Sequence, residues 1–340
     1  MARLAVISNP RSQRNRRGAL AAVKAVVAEH PDVRHEELWD FSDLGPLIVN
    51  MIRNDTEVIA VNGGDGTVQA VLTELGRRDL NGKAPKLAVL AGGMTNVIAK
   101  DVGLDGDPAK GLKRLLEGDA VSEVERPLIG LALSPEKPPV YGMFFGAAGF
   151  YQAVKLANDR VRTHGVAGNL ASASTLALSL FRLLFGRADA DDPLYRGEPM
   201  AIGLDGEAGA EKPYLLMIAT TLDRLILGLS PFWDDGTPNA NGRTIRNGRA
   251  IRNGGTIRYT SVDFPPKRLA RALLPVLRGR PKAWMGEGGY HSGAAHDITL
   301  DIKSPVVLDG EIFFPDPSQP LRLTADRTQT FLAGTGGRFA

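Results

Sequence analysis

Three short apolar runs in the first hundred residues each end in a sharp turn, and a stretch with helical spacing follows each of them. The runs are RLAVISN at 3–9, EVIAVN at 57–62 and Lys86–Leu90. Short apolar runs bounded by turn residues are typical of buried strands, whereas apolar residues three and four positions apart favour helices. Three strand–loop–helix units in succession predict a parallel sheet with helices on its faces.

The hydrophobic pattern changes near residue 125. Glu123–Leu133 and Val140–Ala147 predict strands, and Phe150–Phe185 predicts a longer helical region. From Met200 onward, short apolar runs separated by turn residues dominate, which is typical of a β-rich domain built as a sandwich or a barrel. Most of these strands are expected to be antiparallel.

This change of pattern divides the chain. We expect a nucleotide-binding α/β domain over 1–125 and a β-rich substrate domain over 126–325. The tail at 326–340 is expected to pack back on the first domain, because chain termini often lie close together.

Composition narrows the class of protein. The 340 residues include 39 Gly and 22 Pro, which excludes a helical bundle or a coiled coil, and they include no Cys. Disulfide scaffolds, thiolate metal sites and cysteine nucleophiles are therefore excluded. The formal net charge of +3 suits anionic small molecules or an anionic membrane surface, and nucleic acid is not an expected partner.

The first glycine turn, Asn62 to Thr67, reads NGGDGT and lies between a predicted strand and a predicted helix. Its glycines allow positive φ and would let a phosphate approach the backbone closely. The N–H groups at the start of the helix would supply the anion site. Asp65 is a candidate to hold a metal or a nucleotide hydroxyl, and Thr67 to donate a hydrogen bond or cap the helix. The alternative is a plain tight turn.

A second glycine turn follows one unit later, with Gly92, Gly93, Thr95 and Asn96. Loops at the carboxyl ends of neighbouring parallel strands converge on one crevice. Both glycine turns and the Asn9-Pro10 turn would meet there and form a cradle for a polyphosphate. Arginines at 11, 14, 16 and 17 follow Asn9-Pro10 and are candidates to bind phosphate.

Together these motifs resemble the diacylglycerol kinase catalytic family, which includes bacterial lipid kinases and sphingosine kinases. Asn9-Pro10, the NGGDGT turn, Ser230-Pro231 followed by Asp234-Asp235-Gly236, and Asp309-Gly310-Glu311 each match a family motif. The resemblance implies an α/β nucleotide-binding domain, a β-sandwich C-terminal domain, ATP and Mg²⁺ as cofactors, and a lipid alcohol entering between the domains. It also implies a cytoplasmic protein that can contact the anionic inner membrane surface peripherally. The sequence assigns no oligomeric state.

The resemblance also implies the roles of particular residues. Asp309 or Glu311 would act as the base for the attacking hydroxyl, and two acids two positions apart on a strand would share one face. The alternative for this motif is a hairpin turn with solvated acids, which is how we interpret Asp205-Gly206-Glu207. Asp234 and Asp235 would hold the metal. The residues assigned to the nucleotide are Asn9, Pro10, Arg11, Asn62, Gly63, Gly64, Asp65, Gly66, Thr67, Gly92, Gly93, Thr95 and Asn96.

The chain departs from the family pattern at several positions. Met94 stands where the family has Gly, and Val97 stands where an acid is common. A kinase for a soluble substrate such as NAD, and a non-catalytic nucleotide- or lipid-binding member of the fold, are therefore alternatives to a lipid kinase. His291 and His296 lack a third ligand for zinc, so surface or structural roles are expected for them.

An internal repeat of six residues spans 241–258 and reads NGRTIR, NGRAIR, NGGTIR. In an extended chain the even period places Ile245, Ile251 and Ile257 on one face and arginines on the other. The repeat is either an expanded surface hairpin or an arginine-rich edge that meets lipid phosphates.

Overall fold

The structure of the protein is a computed structural model. It describes residues 3–80, 84–93, 95–104, 106–119, 121–164, 195–225, 228–233, 245–246, 249–250 and 256–334. Several sequence expectations lie outside the described residues: Met94, the candidate metal ligands Asp234 and Asp235, the predicted helical segment beyond residue 164, and most of the six-residue repeat.

The chain divides into two compact units, each made of more than one stretch of sequence. The first comprises Met1–Arg126, Leu222–Ile226 and Thr328–Ala340. The second comprises Pro127–Thr221 and Leu227–Arg327. The short stretch 222–226 has no counterpart in the sequence-based division, because it is separated from the rest of the first unit by about a hundred residues of the second.

The first unit is a parallel α/β layer structure. Its strands are β1 Leu4–Ser8, β2 Arg34–Glu37, β3 Val58–Gly63 and β4 Lys86–Ala91. They lie in the order β2-β1-β3-β4, and every pair is parallel. Its helices are α1 Leu20–Ala28, α2 Leu44–Arg53, α3 Asp65–Gly76, α4 Val97–Val102 and α5 Pro108–Glu117. The three predicted strand–loop–helix units are confirmed.

Burial explains why the sequence forms these strands. All six residues of β3 are buried, so its continuous apolar run suits a strand covered on both faces. Strand β2 has the sequence RHEE and is only half-buried, which is why the apolar pattern did not predict it. The core between sheet and helices contains Val6, Val23, Val26, Val58, Ala60, Ala88, Leu90, Leu104, Leu112 and Leu332.

The second unit is built from antiparallel strands. Strands β5 Val121–Ala132 and β17 Leu321–Gly334 contribute residues to both units. The others are β6 Val140–Gly142, β7 Phe144–Ala148, β8 Glu198–Leu204, β9 Glu211–Thr220, β10 Ile245–Arg246, β11 Arg249–Ala250, β12 Ile257–Asp263, β13 Tyr290–Ala295, β14 Asp297–Asp301, β15 Val306–Leu308 and β16 Glu311–Phe313. Its helices are α6 Gly149–His164 and α7 Leu269–Leu277.

The pairing within the second unit is antiparallel throughout its described strand pairs. Strand β9 pairs with β7, β8 and β12, and β15 pairs with β7 and β16. The expected fold class is therefore confirmed, with parallel strands in the N-terminal α/β region and antiparallel strands in the C-terminal region. The core is formed by inward-facing residues such as Phe145, Met217 and Leu308.

Strand β17 ends in the first unit. Phe331 pairs in parallel with Leu87 of β4, and the Gln329 side chain donates a 2.9 Å hydrogen bond to the carbonyl oxygen of Pro85. Within the repeat, β10 and β11 form a two-residue antiparallel pair. None of the helices in the described residues is both long and apolar enough to cross a bilayer.

Candidate functional site

Three loops leave the same edge of the parallel sheet. Ser8 of β1 pairs with Asn62 of β3, and Gly63 pairs with Ala91 of β4. This register places the Asn9-Pro10 turn and both glycine turns side by side at the carboxyl ends of the strands. In open parallel sheets this edge is where ligands bind.

The two glycine turns are in backbone contact. A Cβ atom added to Gly93 would lie 2.4 Å from the Gly64 Cα, and one added to Gly92 would lie 2.9 Å from the Gly63 backbone nitrogen. Neither distance is possible for a real side chain, so both positions require glycine. Gly63, Gly64, Gly66, Gly92 and Gly93 do not use the positive φ that glycine allows, and Gly64 has a φ of −91°. These glycines serve close approach.

Buried amides join the Asn9-Pro10 turn to the first glycine turn. The Asn9 side chain donates a 2.9 Å bond to the Thr67 hydroxyl, and its Oδ1 accepts the backbone N–H of Arg11 at 2.9 Å. The Asn15 side chain donates to the backbone carbonyl oxygens of Asn9 and Asn62, at 2.8 and 3.0 Å. Asn9, Asn62 and Thr67 are all buried, so these side chains hold the loops in place.

Asp65 connects the first glycine turn to helix α4. Its Oδ2 accepts the Thr95 hydroxyl at 2.7 Å and the backbone N–H of Val97 at 3.2 Å, while its Oδ1 accepts the N–H of Ile98 at 3.1 Å. Asp65 thus satisfies free N–H groups at the start of a helix that begins 32 residues later. The sequence suggested a metal or a ribose hydroxyl for this carboxylate; in the structure it is held by protein donors.

Helix α3 presents the groups best placed to bind an anion. It begins at Asp65, directly after the first glycine turn, and the N–H groups of Asp65 and Gly66 have no partner within the helix. Such N–H groups and the helix dipole favour a phosphate. Arg11 is exposed near this edge, whereas Arg14 donates to the carbonyl oxygens of Ala91 and Gly106 and is a structural residue.

Unsatisfied acceptors surround the same loops. Asn62 Oδ1, Asn15 Oδ1 and Gln13 Oε1 are buried and accept no hydrogen bond from the described residues. Buried polar atoms are rarely left without a partner. Hydroxyl or N–H donors of a ligand, or bound water, would satisfy them. These acceptors and the backbone cradle fit a polar, polyanionic ligand such as a nucleotide.

The Asp309-Gly310-Glu311 motif is a hairpin turn between β15 and β16. Asp309 has a φ of 50° and Gly310 a φ of 92°, so neither belongs to a strand. The Asp309 carboxylate is buried and accepts the backbone N–H groups of Met143 at 3.0 Å and Phe144 at 2.8 Å, whereas Glu311 is exposed. The expectation that the two acids share a strand face is therefore wrong.

Asp205-Gly206-Glu207 forms the same kind of turn. Asp205 and Gly206 have φ of 51° and 88°, and the Asp205 carboxylate accepts the backbone N–H groups of His296 and Asp297 at 2.8 and 3.1 Å. In both motifs the aspartate closes a two-residue hairpin and binds the first residue of a neighbouring strand. The two turns differ in burial, because Asp205 is exposed and Asp309 is not.

The described residues contain no group of three His, Asp or Glu side chains that could hold a metal ion. His291 contacts Asp263 at 3.2 Å and His296 contacts Asp326 at 2.8 Å, so each histidine pairs with one carboxylate. Asp234 and Asp235 remain a prediction, because they lie outside the part of the chain that is described.

Sequence reasoning missed a buried charge network beside helix α4. The Asp101 side chain is 1% exposed and accepts a bond from the Arg126 guanidinium at 3.2 Å. It also accepts the backbone N–H groups of Asp223 and Arg224 at 3.2 and 3.1 Å, and Arg126 pairs with the Asp223 carboxylate at 2.6 Å. These residues are far apart in sequence, and no local pattern signals their contact.

The N-terminal region matches a known protein family. Residues 3–123, which include both glycine turns, match the family model of the diacylglycerol kinase catalytic domain. No curated protein matches the chain.

Solved structures share the fold over the whole chain. A Bacillus anthracis str. Sterne protein provisionally named a diacylglycerol kinase aligns at 16% identity with a TM-score of 0.65, over 98% of this chain and 95% of its own. A structure described as a diacylglycerol kinase from the same organism aligns at 16% identity with a TM-score of 0.59, over 98% and 97%. At this identity, the likeness concerns the fold alone.

Proposed function

We propose that the chain, which carries a diacylglycerol kinase catalytic domain over residues 3–123, is an ATP-dependent kinase that phosphorylates the hydroxyl of a diacylglycerol-like lipid. The observation that carries the proposal is the backbone contact of Gly64 with Gly93, beside the free N–H groups that begin helix α3. This arrangement suits the phosphates of a nucleotide, because backbone N–H groups at the start of a helix bind phosphate oxygens.

In this proposal, the first unit holds ATP. The N–H groups of Asp65 and Gly66 and the charge of Arg11 bind phosphate oxygens, while Asn9, Thr67 and the Asp65 carboxylate keep the loops in position. Phosphoryl transfer depends mainly on positioning and on neutralising charge, so a rigid cradle is the contribution that the protein has to make.

The second unit supplies the base for the lipid hydroxyl. The hydroxyl oxygen forms a bond to the γ-phosphorus as the bond to the β,γ-bridging oxygen breaks, and ADP leaves. The hydroxyl proton passes to a carboxylate of the Asp309-Gly310-Glu311 turn. Each Asp309 oxygen already accepts one N–H group, which fixes the carboxylate, and Glu311 is exposed to an incoming substrate.

Mg²⁺, when bound with ATP, would neutralise phosphate charge during transfer. The described residues contain no group of three His, Asp or Glu side chains that could hold it, and Asp234 and Asp235 stay a family-based assignment. A cytoplasmic location and peripheral contact with an anionic membrane belong to the same proposal, since a diacylglycerol is presented in a bilayer.

A transfer assay tests the proposed function. The chain is incubated with ATP labelled at the γ-phosphate and with either diacylglycerol in mixed micelles or NAD. Label in the lipid supports the proposal, whereas label in NADP would establish the soluble-substrate alternative. Binding of ATP without transfer to lipid or NAD would instead indicate a non-catalytic member of the fold. The G93A variant, in which the cradle is disrupted, is the control for contaminating activity.

The Asp309 and Glu311 variants test the assignment of the base. We expect D309N or E311Q to lower kcat by about 100-fold or more while leaving the Kd for ATP unchanged, because general-base catalysis typically contributes that much. D205N is the matched control, since it alters the exposed turn of the same geometry. Full activity in both D309N and E311Q would show that the base lies elsewhere.

A further inference from the structure

An indole ring is exposed at the same edge of the sheet as the glycine turns. Trp39 lies two residues beyond the end of β2 and is 57% exposed. Tryptophan is highly buried on average, so an ordered, exposed ring on a short loop suggests a ligand contact. Trp39 is not one of the residues on which the family resemblance rests.

The register of the strands places Trp39 beside the cradle. Glu37 pairs with Ser8, Ser8 pairs with Asn62, and the backbone N–H of Leu38 donates a 2.8 Å bond to the Ser8 carbonyl oxygen. Adjacent strands are about 4.8 Å apart, so the loop that starts at Trp39 is about 10 Å from the first glycine turn. A nucleotide whose phosphates lie on that turn can reach this loop with its base.

Contacts of the flanking residues hold the loop in place on both sides of Trp39. The Glu37 carboxylate pairs with Lys24 at 2.5 Å. On the other side, the Asp40 carboxylate accepts the backbone N–H and the hydroxyl of Ser42 at 2.9 and 2.8 Å. A loop that is already held in place loses little conformational entropy when a ligand binds to it.

Charge near the ring favours a nucleotide over a membrane. Glu37, Asp40 and Asp43 surround Trp39 in sequence, and their carboxylates would repel anionic lipid headgroups. The Ser42 hydrogen bonds hold the pKa of Asp40 below its usual range, and Arg11 adds a smaller effect in the same direction. Arg11 is exposed in the Asn9-Pro10 turn at the same edge of the sheet, where its guanidinium can bind the phosphates that lie between the base and the glycine turns.

We propose that Trp39 is the stacking platform for the base of a purine nucleotide whose phosphates bind at the glycine turns. This inference rests on the proposed nucleotide site and adds the base subsite to it. Aromatic side chains bind bases through their π-faces, and the contact is tolerant of base identity. We therefore expect ATP and GTP to bind with similar affinity through this contact.

Calorimetry of W39L and F41L tests the platform. W39L should bind ATP about 10-fold more weakly than the parent protein, which is the usual scale of one lost stacking contact. Its affinity for inorganic tripolyphosphate, which has no base, should be unchanged. W39F should restore most of the ATP affinity. F41L is the matched control, because Phe41 is 50% exposed in the same loop and should bind ATP like the parent.

Fluorescence gives a second readout. The chain has three tryptophans, at 39, 233 and 284, so W233F/W284F leaves Trp39 as the only indole. ATP should quench its emission, and tripolyphosphate should not.

Three other outcomes would distinguish a failure of the Trp39 proposal from a failure of the proposed nucleotide site. Unchanged ATP affinity in W39L, with binding intact in the parent, would overturn the platform and leave the kinase proposal standing. Absence of ATP binding in the parent would overturn both. Loss of binding to phosphatidylglycerol vesicles in W39L, with ATP affinity unchanged, would show that the loop contacts membrane instead.

Discussion

At Gly93 the chain has no room for a side chain. A methyl group there would lie 2.4 Å from the Gly64 Cα and 2.9 Å from Asn96 Oδ1, so G93A must push the two glycine turns apart. We expect the free energy of unfolding to fall by about 1–3 kcal/mol, as for other overpacked sites. We also expect ATP to bind at least about 10-fold more weakly, since the cradle itself is displaced.

Thermal denaturation and calorimetry with ATP measure the two effects of G93A. Gly286 provides the control, because a methyl group there meets nothing within 4 Å and its φ is not positive. G286A should match the parent in both measurements. Parental ATP affinity in G93A would show that the contact between the turns is not needed for the ligand.

His35 couples the first unit to pH. Burial lowers the pKa of His35 from 6.5, and Glu37 opposes this with a smaller effect; Lys24 and Glu36 also act on it. Its Nε2 lies 2.8 Å from the Ser8 hydroxyl, which accepts a bond from the Asn62 side chain. The folded state therefore takes up the proton less readily than the unfolded state. The contribution of neutral His35 to the free energy of unfolding is present above pH 6.5 and is lost as the pH falls toward the lowered pKa of the folded state.

Urea denaturation between pH 7.5 and 5 tests this dependence. H35Q should lose part of the decrease in stability, because glutamine does not titrate. H30Q is the control, since His30 follows α1, where its backbone bonds to Val27 and Val33. An identical pH profile in H35Q and the parent would contradict the assignment.

At the scale of elements, helix α4 depends on a cap from another loop. It has only six residues, and its Val97 and Ile98 N–H groups are bound by the Asp65 carboxylate. D65A should lower stability by about 1–3 kcal/mol, through the lost cap and the lost bond to Thr95. It should also weaken ATP binding, because α4 and the second glycine turn are released together.

Asp107 provides the matched control for D65A. Its carboxylate caps helix α5 by accepting the Lys110 N–H at 3.0 Å, and within the described part of the chain it forms no hydrogen bond with either glycine turn. D107A should cost about 1 kcal/mol of stability and leave ATP affinity unchanged. Equal losses of affinity in the two variants would mean that destabilisation alone explains the effect. Denaturant titration and calorimetry compare them.

Local sequence was sufficient for some elements and not for others. The apolar runs before Asn9, Gly63 and Gly92 predicted three buried strands and their turns, because strand burial and turn chemistry are properties of neighbouring residues. The polar strand β2 was missed, since its place at the sheet edge requires little apolar surface. The role of Asp65 was also missed, because the helix that it caps begins beyond the next strand.

The same limit applies to Asp309 and Asp205. Identical letters, Asp-Gly-Glu, give identical two-residue turns, so the turn could be predicted from either copy. Their difference is in burial, which depends on the neighbouring strands: Asp309 lies against Met143 and Phe144, while Asp205 stays exposed. The sequence separated the two copies by the family resemblance of one and by the Gly/Ala-rich loop that follows the other, and neither of these reports burial.

At the scale of the whole molecule, the first unit is completed by chain from distant positions. Residues 222–226 join it through Asp101, and the end of β17 joins it through Phe331 beside Leu87. The sequence indicated that the tail would return, on the general ground that termini lie close together. It did not predict that residues 222–226 belong to the first unit, because a buried ion network between distant residues produces no periodic pattern in the sequence.

Asp101 is the residue on which that distant stretch depends. Its side chain is 1% exposed and accepts three donors, so D101A would leave the Arg126 charge and two backbone N–H groups without this acceptor. Removing one partner of a buried charged network costs about 3 kcal/mol. D55N is the control: the Arg3–Asp55 pair is exposed, so its loss should cost at most about 1 kcal/mol.

Denaturant unfolding measures these energies, and hydrogen exchange reports the local effect of D101A. In D101A the amides of Asp223 and Arg224 should exchange much faster than in the parent. The exchange rates of the amides in buried β3 should change only as much as the change in global stability requires. Unchanged exchange at 223 and 224 would show that Asp101 does not hold this stretch.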